Sequence, residues 1–170
     1  IRNRSLKGLS IVKIGELMDR DLTALHEENT VAEAIETLLR HHMTGLPVLD
    51  EDCHVLGFVS EEDIIKSALP DYVSKLPSSA FLPDYGQFSV RLAAVGAKTV
   101  KDIMHRGCVA FDVDDTDFVV AAEMIRRHIK VAPVLKDGVM EGYISRAYLI
   151  KRMMRAAKPG SDAEVLDDQH

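Results

Sequence analysis

The amino-acid sequence predicts an α/β fold made of two copies of one unit that pack together as a pseudo-symmetric module. The segment Leu46-Pro47-Val48-Leu49 recurs as Ala132-Pro133-Val134-Leu135, and the same offset of 86 residues pairs Met18 with Met104. A repeat of this length indicates that one supersecondary unit occurs twice. Neither copy is long enough to cover both faces of its own sheet, so we expect the two copies to pack against each other.

The first copy spans 14–69, and its predicted elements follow the order β-α-β-β-α after a short helical start. Its first long helix opens with the capping-box pattern Thr30-Val31-Ala32-Glu33, in which the threonine and glutamate side chains satisfy free helix N–H groups. Two apolar runs around a polar turn at 50–54 predict a hairpin. The elements are a helical stretch at 14–18, an extended piece at 22–25, a helix from 31 that ends before Thr44 and Gly45, strands at 46–49 and 55–59, and a helix at 61–68.

The second copy, 100–155, repeats this order. The tripeptide Lys136-Asp137-Gly138 is typical of the turn of a hairpin. The predicted elements are a helix at 100–104, a strand at 109–113, a helix at 117–128, strands at 131–135 and 139–145, and a helix at 146–155.

The segments outside the two copies have different compositions. The connector, 70–99, contains prolines that break regular structure, but it also holds apolar residues such as Phe81 and Phe88. This mixture predicts a strap laid over one face of the module, with a short helix at 89–95; a contact surface for another subunit is the alternative. The N-terminal extension, 1–13, lacks the apolar run of a signal peptide. The acidic tail, 156–170, has little to bury and is expected to be disordered.

Composition excludes several classes of protein. The chain has 170 residues, a formal net charge of −6 and no tryptophan. An acidic chain is a poor candidate for duplex DNA, because affinity for DNA depends on cations that face phosphates. No apolar run approaches the roughly 20 residues that a membrane-spanning helix needs. Cys53 and Cys108 form no zinc-binding pattern, and two free thiols in a reducing cytoplasm are favoured over a disulfide.

Both copies resemble the CBS domain, the motif named after cystathionine beta-synthase. In the first copy the resemblance rests on the strings Thr30-Val31-Ala32-Glu33-Ala34, Leu46-Pro47-Val48-Leu49-Asp50 and Leu56-Gly57-Phe58-Val59-Ser60-Glu61-Glu62-Asp63-Ile64. A tandem pair of this family, often called a Bateman module, is a regulatory sensor that binds adenosine-containing ligands in the clefts between its repeats. The resemblance therefore implies a non-catalytic module with no required cofactor or metal, which commonly forms a homodimer through its helices.

The resemblance also implies which residues hold the ligand. In the family pattern Gly-x-x-Ser/Thr-x-x-Asp, the aspartate accepts two hydrogen bonds from a ribose 2′,3′-diol, and Ser60 and Asp63 match this pattern. Spacing alone favours a simpler interpretation, in which Ser60 and Asp63 only cap a helix. The implied walls of the adenine slot are Thr23, Ala24, Thr44, Gly45, Leu46 and Pro47.

The second copy departs from the family pattern, because Tyr148 stands where the ribose carboxylate is expected. One phenol hydroxyl cannot accept both ribose hydrogen bonds, so we expect this second site to lack ribose binding. Charge favours phosphate near the second copy: residues 100–155 hold 10 Lys/Arg and 8 Asp/Glu, whereas residues 14–69 hold 3 and 13. Lys130, where the family often carries a basic residue, and Arg146 are the candidate phosphate ligands; ordinary solvated helix-end cations are the alternative.

These observations leave three functional hypotheses. The first is a cytoplasmic sensor that binds AMP, ADP or ATP, or else S-adenosylmethionine or NAD. The second is a ligandless dimerisation module, which Tyr148 favours. The third is the regulatory fragment of a larger enzyme, channel or transporter, suggested by a first residue that is Ile1 rather than Met. The sequence shows no nucleophile–base pattern, no converging metal ligands and no glycine-rich phosphate loop.

Overall fold

The computed structural model describes residues 11–73 and 86–156. The predictions for residues 1–10, for the connector between 74 and 85 and for the tail from 157 onward lie outside the described residues. The elements of the first repeat are α1 (Ile14–Leu17), α2 (Val31–His41), β1 (Gly45–Leu49), β2 (Val55–Ser60) and α3 (Glu61–Ala68). The connector contains α4 (Gln87–Gly96), and the second repeat contains α5 (Val100–Ile103), β3 (Phe111–Asp112), α6 (Asp117–Arg126), β4 (Val131–Lys136), β5 (Val139–Ser145) and α7 (Arg146–Ala156). Within these two ranges, no helix combines the length and apolar character needed to cross a membrane.

Each repeat contains one antiparallel hairpin, β1–β2 or β4–β5, and an additional parallel partner. In the second repeat this partner is the two-residue strand β3, which pairs with β4. In the first repeat it is reduced to an isolated bridge between Leu25 and Val48. The predicted extended piece at 22–25 therefore pairs through Leu25 alone among its residues, although its position in the fold matches that of β3.

The repeats exchange their first helices. Ile14 and Leu17 of α1 belong to the hydrophobic cluster of the second repeat, whereas Val100 of α5 is buried in the cluster of the first repeat. Backbone bonds follow the same exchange, since the N–H of Ile14 donates to the carbonyl of Asp115 at 2.8 Å and that of Val100 to Asn29 at 2.8 Å. Each core thus depends on a helix from the other repeat, which explains why the two repeats pack as one module.

Two strand glycines let the repeats approach through their backbones. A Cβ atom on Gly57 of β2 would lie 2.9 Å from the carbonyl oxygen of His105, and one on Gly142 of β5 would overlap the carbonyl of Asp19. In each case the residue after the glycine forms an isolated β-bridge with the residue that the glycine faces. These contacts place the start of α3 beside the second repeat and the start of α7 beside the first.

The helix α4 covers part of the outer helical face of the first repeat. Val95 is buried in the first core, and Phe88 and Leu92 pack against it. A Cβ atom on Gly96 would lie 3.8 Å from the Cβ of Ala32 on α2. The offset of 86 residues maps Ala32 onto Phe118 of α6, whose surface is 80% exposed. The described part of the connector therefore covers this part of the first repeat, whereas the equivalent surface of the second repeat is exposed to solvent.

Candidate ligand clefts between the repeats

Two clefts lie where the repeats meet. The first cleft, with a volume of about 350 Å³, includes the start of α3 and is lined by Thr44, Phe58, Ser60, Glu61, Glu62, His105, Gly107, Cys108, Val109, Arg127, His128, Ile129, Lys130 and Val131. The second cleft, about 370 Å³, includes the start of α7 and is lined by His41, His42, Met43, Thr44, Lys130, Val131, Tyr143, Ser145, Arg146 and Ala147. Both volumes fall in the range of small-molecule binding sites.

The start of α3 places Ser60 in the wall of the first cleft, and Asp63 lies beside it, bonded to Ser60. The N–H and Oγ–H of Ser60 donate to Oδ2 of Asp63, at 2.8 and 2.5 Å, and the N–H of Asp63 donates back to Oγ at 3.3 Å. This is the reciprocal capping box that satisfies free N–H groups of a helix start. The other carboxylate oxygen, Oδ1, makes no hydrogen bond with any described residue. One oxygen of Asp63 therefore caps the helix, while the other has no hydrogen-bond partner among the described residues.

His105 approaches the same carboxylate from the second repeat. Its Nδ1 lies 3.3 Å from Oδ2 of Asp63, and the side chains are 52% and 20% exposed, respectively. The imidazole ring lies 6.0 Å from the ring of Phe58 at an interplanar angle of 47°. His105 lines the first cleft, so a ligand that binds Asp63 must share this carboxylate with the imidazole or displace it.

The other wall of the first cleft comes from the turn between α6 and β4. Lys130 stands in this turn and forms no ion pair with any residue of the described ranges, whereas Arg127 is held by Glu123 at 2.7 Å. On the side of α3, Glu62 pairs with Lys66 at 2.6 Å. The uncommitted cation of this cleft is thus Lys130, as far as the described residues show.

A less polar surface lies between these charged groups. Cys108 and Val109 are half-buried and line the first cleft with Ile129. Burial raises the pKa of the Cys108 thiol, which favours its neutral form at physiological pH. Together these side chains form a wall suited to a flat, weakly polar ring.

The second cleft is built from the equivalent positions but has different chemistry. Ser145 caps α7, since its Oγ accepts the N–H of Tyr148 at 3.0 Å. Arg146 follows Ser145, and its Nε donates to the carbonyl of Ile129 at 2.6 Å. The hydroxyl of Tyr143 donates to Asp19 at 3.2 Å, and burial together with this carboxylate raises the pKa of Tyr143 to about 12.

A family model of the CBS domain matches residues 14–69 and 100–155, which together exceed half of the chain. The chain belongs to the CBS-domain family. This confirms both the family resemblance and the paired α/β fold that the repeated motifs predict.

The relatives of this CBS pair extend over most of its length. It is 25% identical over 169 residues to the CBS domain-containing protein CBSX1, chloroplastic, of Arabidopsis thaliana, which covers 93% of this chain and 71% of that protein. CBSX2 of Arabidopsis thaliana, solved in complex with AMP, has a TM-score of 0.67 at 21% identity and covers 86% of this chain and 99% of its own. The CBS domain pair of MJ0100, solved with 5′-methylthioadenosine and S-adenosyl-L-methionine, has a TM-score of 0.63 at 21% identity and covers 88% and 100%. At this identity, the two solved structures establish a shared fold.

Within the CBS pair, the predicted site residues are divided between the clefts. Thr44, Ser60 and Lys130 line the first cleft, and Asp63 is bonded to Ser60 beside it. Arg146 lines the second cleft, which it shares with Thr44 and Lys130.

None of the remaining predicted residues lines the first cleft. Thr23 donates to Asp21 at 2.7 Å and lies 3.4 Å from His41, a residue of the second cleft. Ala24 is half-buried, and the β1 residues Gly45, Leu46 and Pro47 are buried behind Thr44.

Several residues of the first cleft escaped the sequence-based prediction. Gly107, Cys108 and Val109 line it, and the offset of 86 residues maps Val109 onto Thr23. The signal was therefore present in the repeat. The repeat did not show that the start of α3 meets residues 107–109 of the second repeat rather than Thr23 of its own repeat.

Proposed function

We propose that this CBS pair is a non-catalytic regulatory module that binds an adenosine-containing ligand, first of all AMP, ADP or ATP, in the first cleft. The observation that carries the proposal is that Lys130 lines the first cleft and that Asp63 lies beside it, bonded to the lining residue Ser60. Asp63 keeps one carboxylate oxygen free of hydrogen bonds to described residues, and Lys130 lacks an ion partner among them. A ribose diol and a phosphate need these two groups.

The parts of the ligand can be assigned to the walls of the first cleft. The ribose would bind Asp63 beside Ser60, and the phosphates would extend toward Lys130. For the adenine ring we propose Thr44, Cys108 and Val109, because these residues line the first cleft whereas Thr23 does not. Arg146 would serve an anion in the second cleft, where Tyr148 replaces the ribose carboxylate.

The solved relatives support this class of ligand, since CBSX2 was solved with AMP and MJ0100 with S-adenosyl-L-methionine and 5′-methylthioadenosine. A ligand in the first cleft would contact both repeats. It would therefore favour the arrangement of the repeats to which it binds more tightly, and so change how the module contacts a partner. Cys53 and Cys108 are free cysteines, which suits the reducing cytoplasm that we propose as the compartment.

Calorimetric titration with AMP, ADP, ATP, S-adenosylmethionine and NAD tests the proposal. Asp63→Ala should weaken the tightest of these ligands at least about tenfold, a loss of roughly 1.4 kcal/mol. Asp102→Ala is the matched control, because Asp102 caps α5 by the same capping box and lies outside both cleft linings. Absence of binding by all five ligands, at concentrations that would reveal a Kd of about 100 µM, would refute the adenosine ligand.

A second candidate function, dimerisation, is favoured by the outer face of the second repeat. Phe118 and Ile125 of α6 are 80% and 63% exposed, and Ile150 and Met154 of α7 are 62% and 63% exposed. On the first repeat, α4 covers the part of the face equivalent to Phe118. We propose a second copy of this chain as the occupant, because a two-fold interface would bring identical apolar faces together.

Sedimentation velocity tests the dimer. Phe118→Gln combined with Ile125→Gln should convert a dimer into a monomer, whereas Leu22→Gln should not, since Leu22 is 55% exposed but lies outside α6 and α7. A wild-type monomer at high concentration would exclude this assembly.

A further inference from the structure

Three residues belong to the walls of both clefts. Thr44, Lys130 and Val131 line the first cleft as well as the second. Lys130 is exposed, and it is the one cation that the two described linings have in common. A single ammonium group is therefore shared by two cavities, of about 350 and 370 Å³.

Arg146 gives the second cleft a further cation, and its position is fixed by two bonds. Its N–H donates to the carbonyl of Lys130 at 3.1 Å, and its Nε donates to the carbonyl of Ile129 at 2.6 Å. These bonds tie the start of α7 to the turn that carries Lys130. The terminal nitrogens of the guanidinium, Nη1 and Nη2, bond to none of the described residues, so they can donate to an anion.

The second cleft lacks acidic groups in its described lining, whereas two glutamates line the first. The carboxylates that contact its lining residues have partners there. Asp19 accepts the hydroxyl of Tyr143 at 3.2 Å, and Asp21 lies 3.8 Å from Nδ1 of His41. Two cations in a wall without a carboxylate favour a small anion such as inorganic phosphate.

Anions in the two clefts would depend on the same charge. Under the proposed function, the phosphate of a nucleotide in the first cleft also binds Lys130. A lysine side chain carries one positive charge, so it cannot neutralise an anion in each cleft. The two anions would also repel each other, by an amount that water and salt reduce. An anion in either cleft should therefore weaken the binding of an anion in the other.

We propose that the second cleft is a regulatory site for inorganic phosphate, which lowers the affinity of the first cleft for a nucleotide because both anions share Lys130. This inference rests on the proposed function, which places the nucleotide phosphate beside Lys130. Coupling between two sites is reciprocal, so the nucleotide lowers the affinity for phosphate by the same factor. The module then responds to the amount of nucleotide relative to phosphate, rather than to nucleotide alone.

Calorimetric titration of AMP at several phosphate concentrations tests the proposal, with sodium chloride added to hold the ionic strength constant. For the wild type, the Kd of AMP should rise about three- to tenfold and then reach a plateau; the effect is modest because Lys130 is exposed. A plateau indicates two sites that can be filled together, whereas competition for one site raises the Kd without limit. A rise without a plateau, or a Kd that phosphate does not change, would overturn the proposal.

Variants of Arg146 test where the phosphate binds. In Arg146→Gln the Kd of AMP should be the same with and without phosphate, and Arg146→Lys, which keeps the charge, should restore part of the difference. Lys151→Gln is the matched control, because Lys151 is an exposed cation of the same helix and lies outside both cleft linings. It should respond to phosphate as the wild type does. A wild-type response in Arg146→Gln would place the phosphate elsewhere and contradict the inference.

A measurement without nucleotide separates this inference from the proposed function. A ligand that binds only the folded protein raises the midpoint of thermal unfolding. Phosphate should raise it, relative to chloride at equal ionic strength, in the wild type and in Lys151→Gln but not in Arg146→Gln. If this pattern is found and AMP does not bind, the phosphate site is supported, and the proposed function fails together with the antagonism. If AMP binds and phosphate has neither effect, the proposed function stands and this inference fails.

Discussion

The first and second clefts occupy equivalent positions in the two repeats, but the helices that begin at them carry opposite charges in their first turns. The helix α3 begins with Glu61, Glu62 and Asp63 at the first cleft, whereas α7 begins with Arg146 at the second. The position that bridges the repeats is His105 in one case and Asp19 in the other. The side chains that meet between the repeats are therefore those of His105 and Asp63 at the first cleft, and those of Asp19 and Tyr143 at the second.

This difference shows that the backbone and the ligand chemistry of a repeat protein are set by different atoms. Each bridge consists of two backbone hydrogen bonds, exchanged between Phe58 and His105 in one case and between Tyr143 and Asp19 in the other, at 2.9–3.1 Å. Backbone groups are the same in every residue, so equivalent positions fold alike. Under the proposed function, the side chains at those positions then decide whether the cleft receives a diol or an anion.

Removal of Lys130 should have the largest effect, because both clefts share this cation. Lys130→Ala should weaken ATP about tenfold to a hundredfold, the loss expected for a charge-assisted hydrogen bond. Calorimetry measures this loss of affinity for ATP. Lys136→Ala is the control, since Lys136 stands at the far end of β4. Equal affinities in the two variants would mean that the phosphates do not reach the turn before β4.

Introducing the missing carboxylate should make the clefts more alike. Tyr148→Asp places a ribose acceptor at the start of α7, so the stoichiometry of AMP should rise from one to two per chain. Tyr148→Asn provides the comparison, because an amide of the same shape cannot accept both hydrogen bonds from the diol. A stoichiometry of one in both variants would mean that another feature closes the second cleft.

Neutralising the acidic start of α3 should have a smaller effect. Glu61→Gln removes a negative charge from the first cleft and should tighten ATP about two- to fivefold at low salt, because exposed charges are screened. Glu51→Gln, in the turn of the first hairpin, should leave the affinity unchanged. Titration at two salt concentrations checks the cause, since the gain should shrink as salt rises.

The smallest expected effect concerns Tyr143 and alkaline pH. Its pKa of about 12 lies above the ordinary value of 10.0, so the folded protein holds the phenol proton more tightly than the unfolded chain. This contribution to stability is complete below about pH 10 and is lost as the pH rises toward 12. Urea unfolding across this range should show less alkaline loss for Tyr143→Phe than for the wild type.

Tyr72→Phe serves as the control for this prediction, because Tyr72 is 58% exposed. It should lose stability at alkaline pH as the wild type does. An unchanged alkaline loss in Tyr143→Phe would show that the bond to Asp19 does not govern this titration.

Local patterns predicted the elements whose stabilising groups are close in sequence. The capping box of α2 is present, with the N–H of Thr30 donating to Glu33 at 2.8 Å. The connector helix was predicted at 89–95 and extends over Gln87–Gly96. In both cases the signal, a cap or an apolar spacing, lies within the element itself.

The predictions were weaker where polar side chains compete with the backbone. The extended piece at 22–25 pairs through Leu25 alone, because Asp21 accepts the N–H of Thr23 at 2.8 Å and turns the chain before it reaches the sheet. The helix predicted to reach residue 128 ends at Arg126, and His128 has a left-handed backbone with φ of 56°. Neither side-chain bonding nor a left-handed residue is visible in apolar periodicity.

The sequence by itself determined that this protein is a pair of CBS repeats, because a motif that occurs twice with its caps and turns specifies the same elements twice. The tertiary structure decided which residues form the opposite walls of each cleft. Since α1 and α5 are exchanged between the cores, the start of α3 faces Cys108 and Val109 rather than Thr23. Contacts such as that of Glu27 with Arg106, 79 residues away, depend on how two complete surfaces fit together, and no local pattern encodes them.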